Sequence, residues 1–490
     1  MRSTPHAYVL ASKGWPRYDH MLVGGRMRLS CPVRGSSCRA TGRPKRPLGA
    51  NDHSYSLHEP LTSEPSRVAR EVPRISPATN PPLPPFGALR LPGFRLFVVT
   101  FMLTMMADNI EHVMSYWVAF QKFHSSSLGG FAVISHWVPY LLFSVPVGAL
   151  NDRFDSRRLI QVGLLLFMLV SLGWAYFFVT GTLEVWHAMV LLVLHGCAGV
   201  FWSTSSQTLL YDIVGPAAIG SAVRLNATAR YLGMLAGPGI GSVLLRSLGP
   251  TRGMFVNACL YLPALLWLMR APYGRNFRAD APPPRAVRGI SDIIDTIRDV
   301  RKVPALLGLI VLAGAASFFI GNSYQAQMPA FAVDLGHGDP GAAYSALLGA
   351  DAAGALVGGV LLETGRGIFR TGTRTLVRLA MSWAIALTIF ALTRWYPLAL
   401  CALFFAGFFE LSFASMTQTI VQTSAPSEIR GRVLGLFGMS SLGLRAFSGL
   451  TVGLMGSVTT VHVSLAIAAS AFMTVALALA FRMERRSPSS

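Results

Sequence analysis

The residues of this chain that could do chemistry lie inside its apolar runs. Asp108, Glu111, His112 and Ser115 fall within the run 94–120, at offsets of three, four and seven residues from the first. On an α-helix, residues at these offsets share one face. An ionisable side chain at the centre of a bilayer costs about 2.5–3.5 kcal/mol or more unless it faces a cavity or a partner. Two acids and a histidine on one stripe therefore predict a site that exchanges protons or binds cations, with a structural hydrogen bonder as the alternative.

Three more charges occupy apolar runs further along the chain, at Asp351, Glu410 and Arg445. We predict that they complete a charged interior, in which Arg445 either neutralises one of the two acids or binds a ligand. His136 and His195 are interpreted as packing or hydrogen-bonding residues. The sequence has no closely spaced histidine pair, nucleophile elbow or phosphate loop, so it predicts no enzyme, no metal and no cofactor.

The elements that position these residues are predicted to be membrane-spanning helices. The chain has 490 residues, of which 52% are hydrophobic and only 13% are charged, whereas soluble domains carry about 25% charged residues. About 20 apolar residues cross the hydrocarbon core. Twelve apolar runs follow one another, at 94–120, 128–150, 159–179, 186–210, 225–245, 254–269, 304–332, 342–362, 375–393, 398–422, 433–455 and 463–481. The predicted fold class is an all-α integral membrane protein with twelve transmembrane helices.

Basic residues orient these spans. If the first span runs outward, the breaks on the inner side carry 21 Lys and Arg residues, and the breaks on the outer side carry 4. Cytoplasmic loops are enriched in these residues. The asymmetry predicts a multi-pass protein of the cell membrane with both termini in the cytoplasm. It also explains the basic balance of the membrane region without a nucleic-acid partner.

The runs divide into two sets of six around one long polar interval. We predict a disordered N-terminal extension at 1–92, for which an over-extended start or a targeting segment is an alternative. A first six-helix domain follows at 93–270, then a cytoplasmic linker with an amphipathic helix at 271–303. A second six-helix domain occupies 304–482, and a short cytoplasmic tail occupies 483–490. Positions 210 residues apart echo each other, as Gly148 and Gly358 do. Two related halves place a substrate path at their interface.

A charged loop joins the second and third runs and reads Gly148-Ala-Leu-Asn-Asp152-Arg153-Phe-Asp155-Ser-Arg157-Arg158. Asp152 can pair with Arg157 or Arg158 and cap a neighbouring helix, while Gly148 permits close packing. The loop resembles the motif of the major facilitator superfamily, which implies a clamp that steadies the outward-facing state. The alternative is that the arginines only flank a membrane span. The second-half counterpart, with Glu363 and Arg366, is degenerate, so the clamp is expected on one side only.

Two further motifs resemble export-type branches of that superfamily. The fifth run contains a glycine-proline motif similar to that of antiporters, formed by Gly233, Gly237, Pro238 and Gly241, with Ser242 in place of the last glycine. Small residues four apart also let helices pack closely, which is the alternative reading. The segment between runs ten and eleven, with Arg430, Gly431 and Arg432, is similar to the same exporters.

The resemblance covers about residues 90–485 and implies a secondary transporter similar to enterobactin and macrolide exporters. We expect it to export a small amphipathic molecule by proton antiport, with Asp108 as the first candidate for the coupling carboxylate. Leu192 replaces the arginine that many antiporters carry in the fourth span, so no relay through that position is expected. The alternatives are a proton- or cation-coupled importer and a non-transporting receptor or assembly factor. The expected partners are the substrate, protons and the lipid bilayer, and the protein is expected to be a monomer.

Overall fold

The computed structural model describes residues 84–123, 126–277, 287–289, 291–321, 323–336, 340–364, 372–448 and 455–484. The predicted N-terminal extension up to residue 83, Arg366 and the last six residues of the tail lie outside the described part. Within it the regular structure is helical throughout, and no strand is found.

The α-helices of the described residues follow one another along the chain, with the longest interval between α5 and α6. They are α1 (Pro92–Phe123), α2 (Ser126–Arg153), α3 (Ser156–Thr180), α4 (Val185–Leu260), α5 (Leu262–Arg270), α6 (Ser291–Arg301), α7 (Pro304–Phe319), α8 (Ser323–Ala326), α9 (Met328–Asp334), α10 (Pro340–Thr364), α11 (Thr373–Leu392), α12 (Tyr396–Ser424), α13 (Arg430–Gly438), α14 (Arg445–Ser448), α15 (Met455–Val458) and α16 (Val461–Glu484). A π-helical turn, Met439–Gly443, connects α13 to α14.

The long helix α4 contains three successive stretches. Gly215 and Gly249 have φ angles of 69° and 75°, and a proline follows each of them. Only glycine adopts such a φ without strain, and a proline removes the N–H that would continue the helical ladder. The chain therefore turns at these two glycines, and the three stretches correspond to the fourth, fifth and sixth predicted runs.

Seven stretches of the described residues are long and apolar enough to cross a membrane, and one of these is the 93-residue stretch that contains α4. Where its residues are described, each of the twelve predicted apolar runs coincides with one or more helices. The all-helical class is therefore confirmed. We call residues 92–270 the first half and residues 304–484 the second half.

The glycine motif lies where α4 contacts α1. A Cβ added at Gly233 would stand 2.7 Å from the Met102 carbonyl oxygen, and one added at Gly237 would stand 2.5 Å from the Asn109 Cβ. Because real Cβ atoms do not come this close to such neighbours, these glycines allow the two helices to approach. The second stretch of α4 thereby packs closely against α1.

Candidate functional site

The stripe of α1 meets a histidine of α4. His195 Nε2 lies 2.9 Å from Asp108 Oδ1, and His195 Nδ1 lies 2.7 Å from Glu111 Oε1. All three residues are buried. Each hydrogen bond contains one proton, so two carboxylates and one doubly protonated imidazole leave this triad with one net negative charge. The sequence indicated that His195 forms hydrogen bonds, but not that it joins both acids.

Further polar residues hold Glu111 from the other side. Ser171 of α3 donates a hydrogen bond to Glu111 Oε2, and Asn257 Nδ2 of α4 donates to Ser171 Oγ at 3.1 Å. Both residues are fully buried. Ser115, the last member of the predicted stripe, donates instead to the Glu111 backbone carbonyl oxygen at 2.7 Å. Glu111 is thus fixed by a chain of contacts that crosses α1, α3 and α4.

Two more histidines border this triad. His112 Nδ1 lies 3.8 Å from Asp108 Oδ2. The His112 ring centroid lies 5.0 Å from that of His136, on α2, and 4.7 Å from that of His195. These three imidazoles could hold a metal ion, although they are far apart in the sequence.

The acids of the second half form a separate network. Tyr324 donates its hydroxyl to Asp351, at 3.2 Å from Oδ1, and to Glu410, at 3.1 Å from Oε2. Gln325 Nε2 donates to Asp351 Oδ2 at 2.9 Å. One hydroxyl hydrogen therefore serves two carboxylates. The structure brings Asp351 and Glu410 together as two acids of one charged interior, and Tyr324 and Gln325 are polar residues of the seventh run that sequence reasoning missed.

Arg445 lies beside this network. Its guanidinium carbon stands 5.2 Å from the Trp137 ring centroid, and its Nε donates to the Ser441 carbonyl oxygen at 3.3 Å. It also interacts electrostatically with Glu410. Since Trp137 belongs to α2 and Glu410 to α12, Arg445 contacts both halves of the molecule.

A cavity of about 100 Å³ lies between the two halves. The residues around it come from α1, α4, α8, α12 and α14, and they include Arg230, Tyr231, Gln325, Glu410 and Arg445. Asp108 and Glu111 are not among the described residues of its wall, because they face His195 inside the first half. Sequence reasoning missed Arg230, although an arginine inside the fifth apolar run was a usable signal.

Asp152 bonds across the two halves, not within its own loop. Its Oδ1 accepts from the backbone N–H of Gly431 at 2.6 Å, and its Oδ2 accepts from that of Arg432 at 3.1 Å. Both N–H groups belong to the first turn of α13, where a helix has no internal acceptors for them and attracts negative charge. We call this contact the α2 clamp.

The predicted pairing of Asp152 with Arg157 or Arg158 is wrong. Arg157 Nη2 instead lies 2.9 Å from Asp155 Oδ2, and Arg158 Nη1 donates to Gln161 Oε1 at 3.0 Å. Asp155 also caps α3 by accepting from the Arg157 N–H at 3.0 Å. Asp155 is the acid that pairs with Arg157. The Asp152 carboxylate instead binds backbone N–H groups of the second half.

The expectation of a one-sided clamp is also wrong. Glu363, at the end of α10, accepts from Arg224 Nε at 2.7 Å and from the Ser221 hydroxyl. It further accepts from the Phe86 N–H at 2.8 Å. We call this contact the α10 clamp. Ser221 and Gly431, the partners in the two clamps, stand at the same 210-residue spacing that the sequence showed.

Arg432 extends the α2 clamp to the linker. Its Nη2 lies 3.1 Å from Oδ1 of Asp292, a buried residue of α6. Arg430 stacks on Tyr211 of the first half, with its guanidinium carbon 3.7 Å from the ring centroid.

Gly148 lies opposite Gly431, where an added Cβ would stand 2.2 Å from the Gly431 carbonyl oxygen. Arg153 lies over the neighbouring Phe154 ring. The halves thus meet closely at the end that carries this loop, which we call the loop end.

Comparisons with known proteins agree with this architecture. The family model described as transmembrane secretion effector matches residues 83–488. The multidrug efflux pump Tap of Mycolicibacterium fortuitum is 23% identical over 358 residues, which cover 71% of this chain and 85% of that protein. The enterobactin exporter EntS of Citrobacter koseri is 24% identical over 338 residues, which cover 68% of this chain and 77% of that protein.

A solved structure shows the same fold. The fucose:proton symporter FucP of E. coli matches with a TM-score of 0.62 at 14% identity, covering 81% of this chain and 98% of that one. Because the family model covers most of the chain, the superfamily indicated by the loop between α2 and α3 is confirmed, and the similar proteins are transporters, not enzymes. The chain belongs to the transmembrane secretion effector family of the major facilitator superfamily.

Proposed function

We propose that this membrane transporter exports a small amphipathic molecule in exchange for protons. The observation that carries the proposal is the cavity between the two halves, with Glu410 and two arginines in its wall. The efflux pump and the exporter among the relatives support the outward direction. Transport would proceed by rocking of the halves about this central site.

The wall of the cavity suits an amphipathic cargo. Apolar and aromatic surface comes from Phe101, Met234 and Leu411, while Arg230 and Gln418 offer hydrogen-bond donors in the same space. Ligand sites typically combine a largely apolar lining with a few placed polar groups. An apolar body with one polar or charged group would satisfy both parts of this wall.

The second-half acids supply a proton site at the cavity. Asp351 and Glu410 accept from one Tyr324 hydroxyl, and because two buried neighbouring acids do not easily ionise together, we expect one of them to hold a proton. Glu410 lines the cavity, so gain or loss of that proton changes the charge that the cargo meets. One proton crossing about 150 mV supplies about 3.5 kcal/mol, enough for a gradient of about 300-fold. The role predicted for Asp108 stays a prediction, with His195 as its partner.

In this proposal the loop end faces the cytoplasm of the cell, as the excess of basic residues in its loops supports. The α2 and α10 clamps then close the inner side, and both must open before cargo enters from the cytoplasm. The protein would work as a monomer, with the domain boundaries predicted from the sequence.

Inverted membrane vesicles test the proposal directly. Vesicles that contain the protein should accumulate a fluorescent amphipathic dye such as ethidium when their lumen is acidified. Addition of the dye should also dissipate part of the pH gradient, and a pH-sensitive probe would report this change. Accumulation that survives collapse of the gradient by nigericin would overturn proton exchange. Accumulation seen only in right-side-out vesicles would instead indicate an importer.

A further inference from the structure

Three imidazoles from three helices meet inside the first half. His112 of α1, His136 of α2 and His195 of α4 each offer one nitrogen, and these atoms lie within 4.8 Å of one another. The ring centroids of His136 and His195 are 5.7 Å apart. Four-coordinate Zn²⁺, with metal–nitrogen distances near 2.0–2.1 Å, sets its ligand atoms about 3.4 Å apart. Binding would require the three nitrogens to move from their present separations, up to 4.8 Å, to that spacing.

One of the three histidines lacks a partner that its burial calls for. His136 Nδ1 is buried and has no hydrogen-bond partner among the described residues. Leaving a buried polar atom unpaired costs about 1–3 kcal/mol. A metal ion bound through Nδ1 of His136 would satisfy this atom.

A carboxylate beside the rings is placed to support a metal-binding histidine. Glu111 lies 2.7 Å from His195 Nδ1 and is itself held by Ser171, which Asn257 contacts. Metal-binding histidines usually donate their second ring N–H to such a carboxylate. With Nδ1 so engaged, Nε2 of His195 is the nitrogen left for a metal.

Asp108 is placed to complete the coordination. Its Oδ1 lies 2.9 Å from His195 Nε2, and its Oδ2 lies 3.8 Å from His112 Nδ1. An ion between these atoms would replace the proton now shared by His195 and Asp108, and that proton would leave to solvent. The two carboxylates, Asp108 and Glu111, then balance the two positive charges of a divalent ion in this apolar region.

We propose that His112, His136 and His195, with Asp108 as a fourth ligand, bind a divalent first-row transition-metal ion such as Zn²⁺ or Co²⁺. Imidazole nitrogen with one carboxylate oxygen is a donor set that these ions accept, whereas Ca²⁺ and Mg²⁺ prefer oxygen alone. The ion would connect α1, α2 and α4. The proposal does not depend on the direction of transport or on the proton site at Glu410, whereas a metal ion held by Asp108 would exclude the coupling role predicted for that residue.

Spectroscopic titration of the purified protein tests the site. The protein would carry an affinity tag without histidine, be treated with chelator, and be titrated with Co²⁺ in detergent. We expect one bound Co²⁺ with the intense visible absorption of a four-coordinate ion, and its loss when Zn²⁺ is added. Absence of such a spectrum in the folded wild-type protein would overturn the proposal.

Variants separate this site from adventitious binding. His136→Ala should lower Co²⁺ affinity by more than 100-fold, and Glu111→Gln should lower it by about 10- to 100-fold because it removes a supporting contact. His187→Ala is the matched control, since His187 lies at the start of α4 and contacts Trp186 and Phe177. Equal Co²⁺ affinity in His136→Ala and His187→Ala would overturn the assignment. Gel filtration and helical circular dichroism would show that each variant is folded, and His136→Gln would replace an unfolded alanine variant.

Because binding is measured without a membrane gradient, its outcome is independent of the vesicle assay. Failure to bind Co²⁺ would leave the proposed export unaffected. If the wild-type protein bound Co²⁺ but did not export the dye, that result would count against the proposed function alone.

Discussion

The carboxylate of Glu363 lies 2.7 Å from Arg224 Nε, across the interface between the two halves. Glu363 is buried and Arg224 is partly exposed at the loop end. Asp152 makes the corresponding contact in the opposite direction, from the first half to α13. Closure of the loop end thus depends on two separate carboxylates.

Neutralising either carboxylate should open the loop end. A hydrogen bond to a charged group contributes about 1.5–3 kcal/mol. Asp152→Asn and Glu363→Gln should therefore each raise the ratio of open to closed molecules by about 10- to 100-fold. Spin labels on the ends of α2 and α13 would report this shift as longer distances. Dye affinity should change little, while the transport rate falls. Glu184→Gln is the control, because Glu184 precedes α4 as its N-cap residue and lies outside both clamps. Unchanged distances and rates in both clamp variants would contradict the gate.

A methyl group at Gly148 should prevent closure. The added Cβ would meet the Gly431 carbonyl oxygen at 2.2 Å, so α2 and α13 would have to separate. We expect Gly148→Ala to enter the membrane in normal amount but to lose most dye transport in inverted vesicles. Gly239→Ala is the matched control, since nothing lies within 4 Å of a Cβ at that position. Normal transport by Gly148→Ala would show that the observed contact is not needed.

Removing the charge of Glu410 should uncouple transport from the pH gradient. Glu410→Gln keeps a hydrogen-bond acceptor for Tyr324 but cannot release a proton, so dye-induced proton release should disappear. Dye exchange down its own gradient should persist, and this distinguishes uncoupling from misfolding. Asp295→Asn, on the exposed side of α6, should behave as wild type. Full proton release by Glu410→Gln would move the coupling site elsewhere.

Asp108→Asn tests the coupling role that the sequence predicted for α1. We expect it to abolish proton-driven dye transport while membrane insertion stays intact. The asparagine keeps an oxygen for His195 but loses the negative charge of the triad. Full proton-driven transport by this variant would exclude Asp108 as a coupling residue and leave Glu410 as the candidate.

Arg230 should contribute to cargo binding more than to turnover. Losing one charged hydrogen bond of about 1.5–3 kcal/mol would raise the KM for an anionic or polar cargo by about 10- to 100-fold with little change in kcat. Arg230→Ala would be compared with Arg246→Ala, which removes an arginine outside the lining of the cavity. A fall in kcat at constant KM would instead assign Arg230 to the conformational change.

The helices and the loop motif could be predicted because their signals are local. About 20 apolar residues suffice to span a bilayer, and charge counts need no tertiary contact. The partners of the charged residues could not be predicted. His195 contacts Asp108 and Glu111 from another helix, and which face of each helix points inward depends on packing. Asp152 differs for another reason, since its partners are backbone N–H groups, which every residue except proline provides.

That last contact makes the two clamps unequal in how they tolerate sequence change. The α2 clamp uses main-chain donors of Gly431 and Arg432, so substitutions there keep the donors as long as the bulk at Gly431 fits and no proline is introduced. The α10 clamp has one main-chain donor, Phe86, but its other donors are the side chains of Ser221 and Arg224, and a single codon change can remove either side chain. During evolution, the speed of the transport cycle could therefore be adjusted at the α10 clamp while the α2 clamp keeps the gate working.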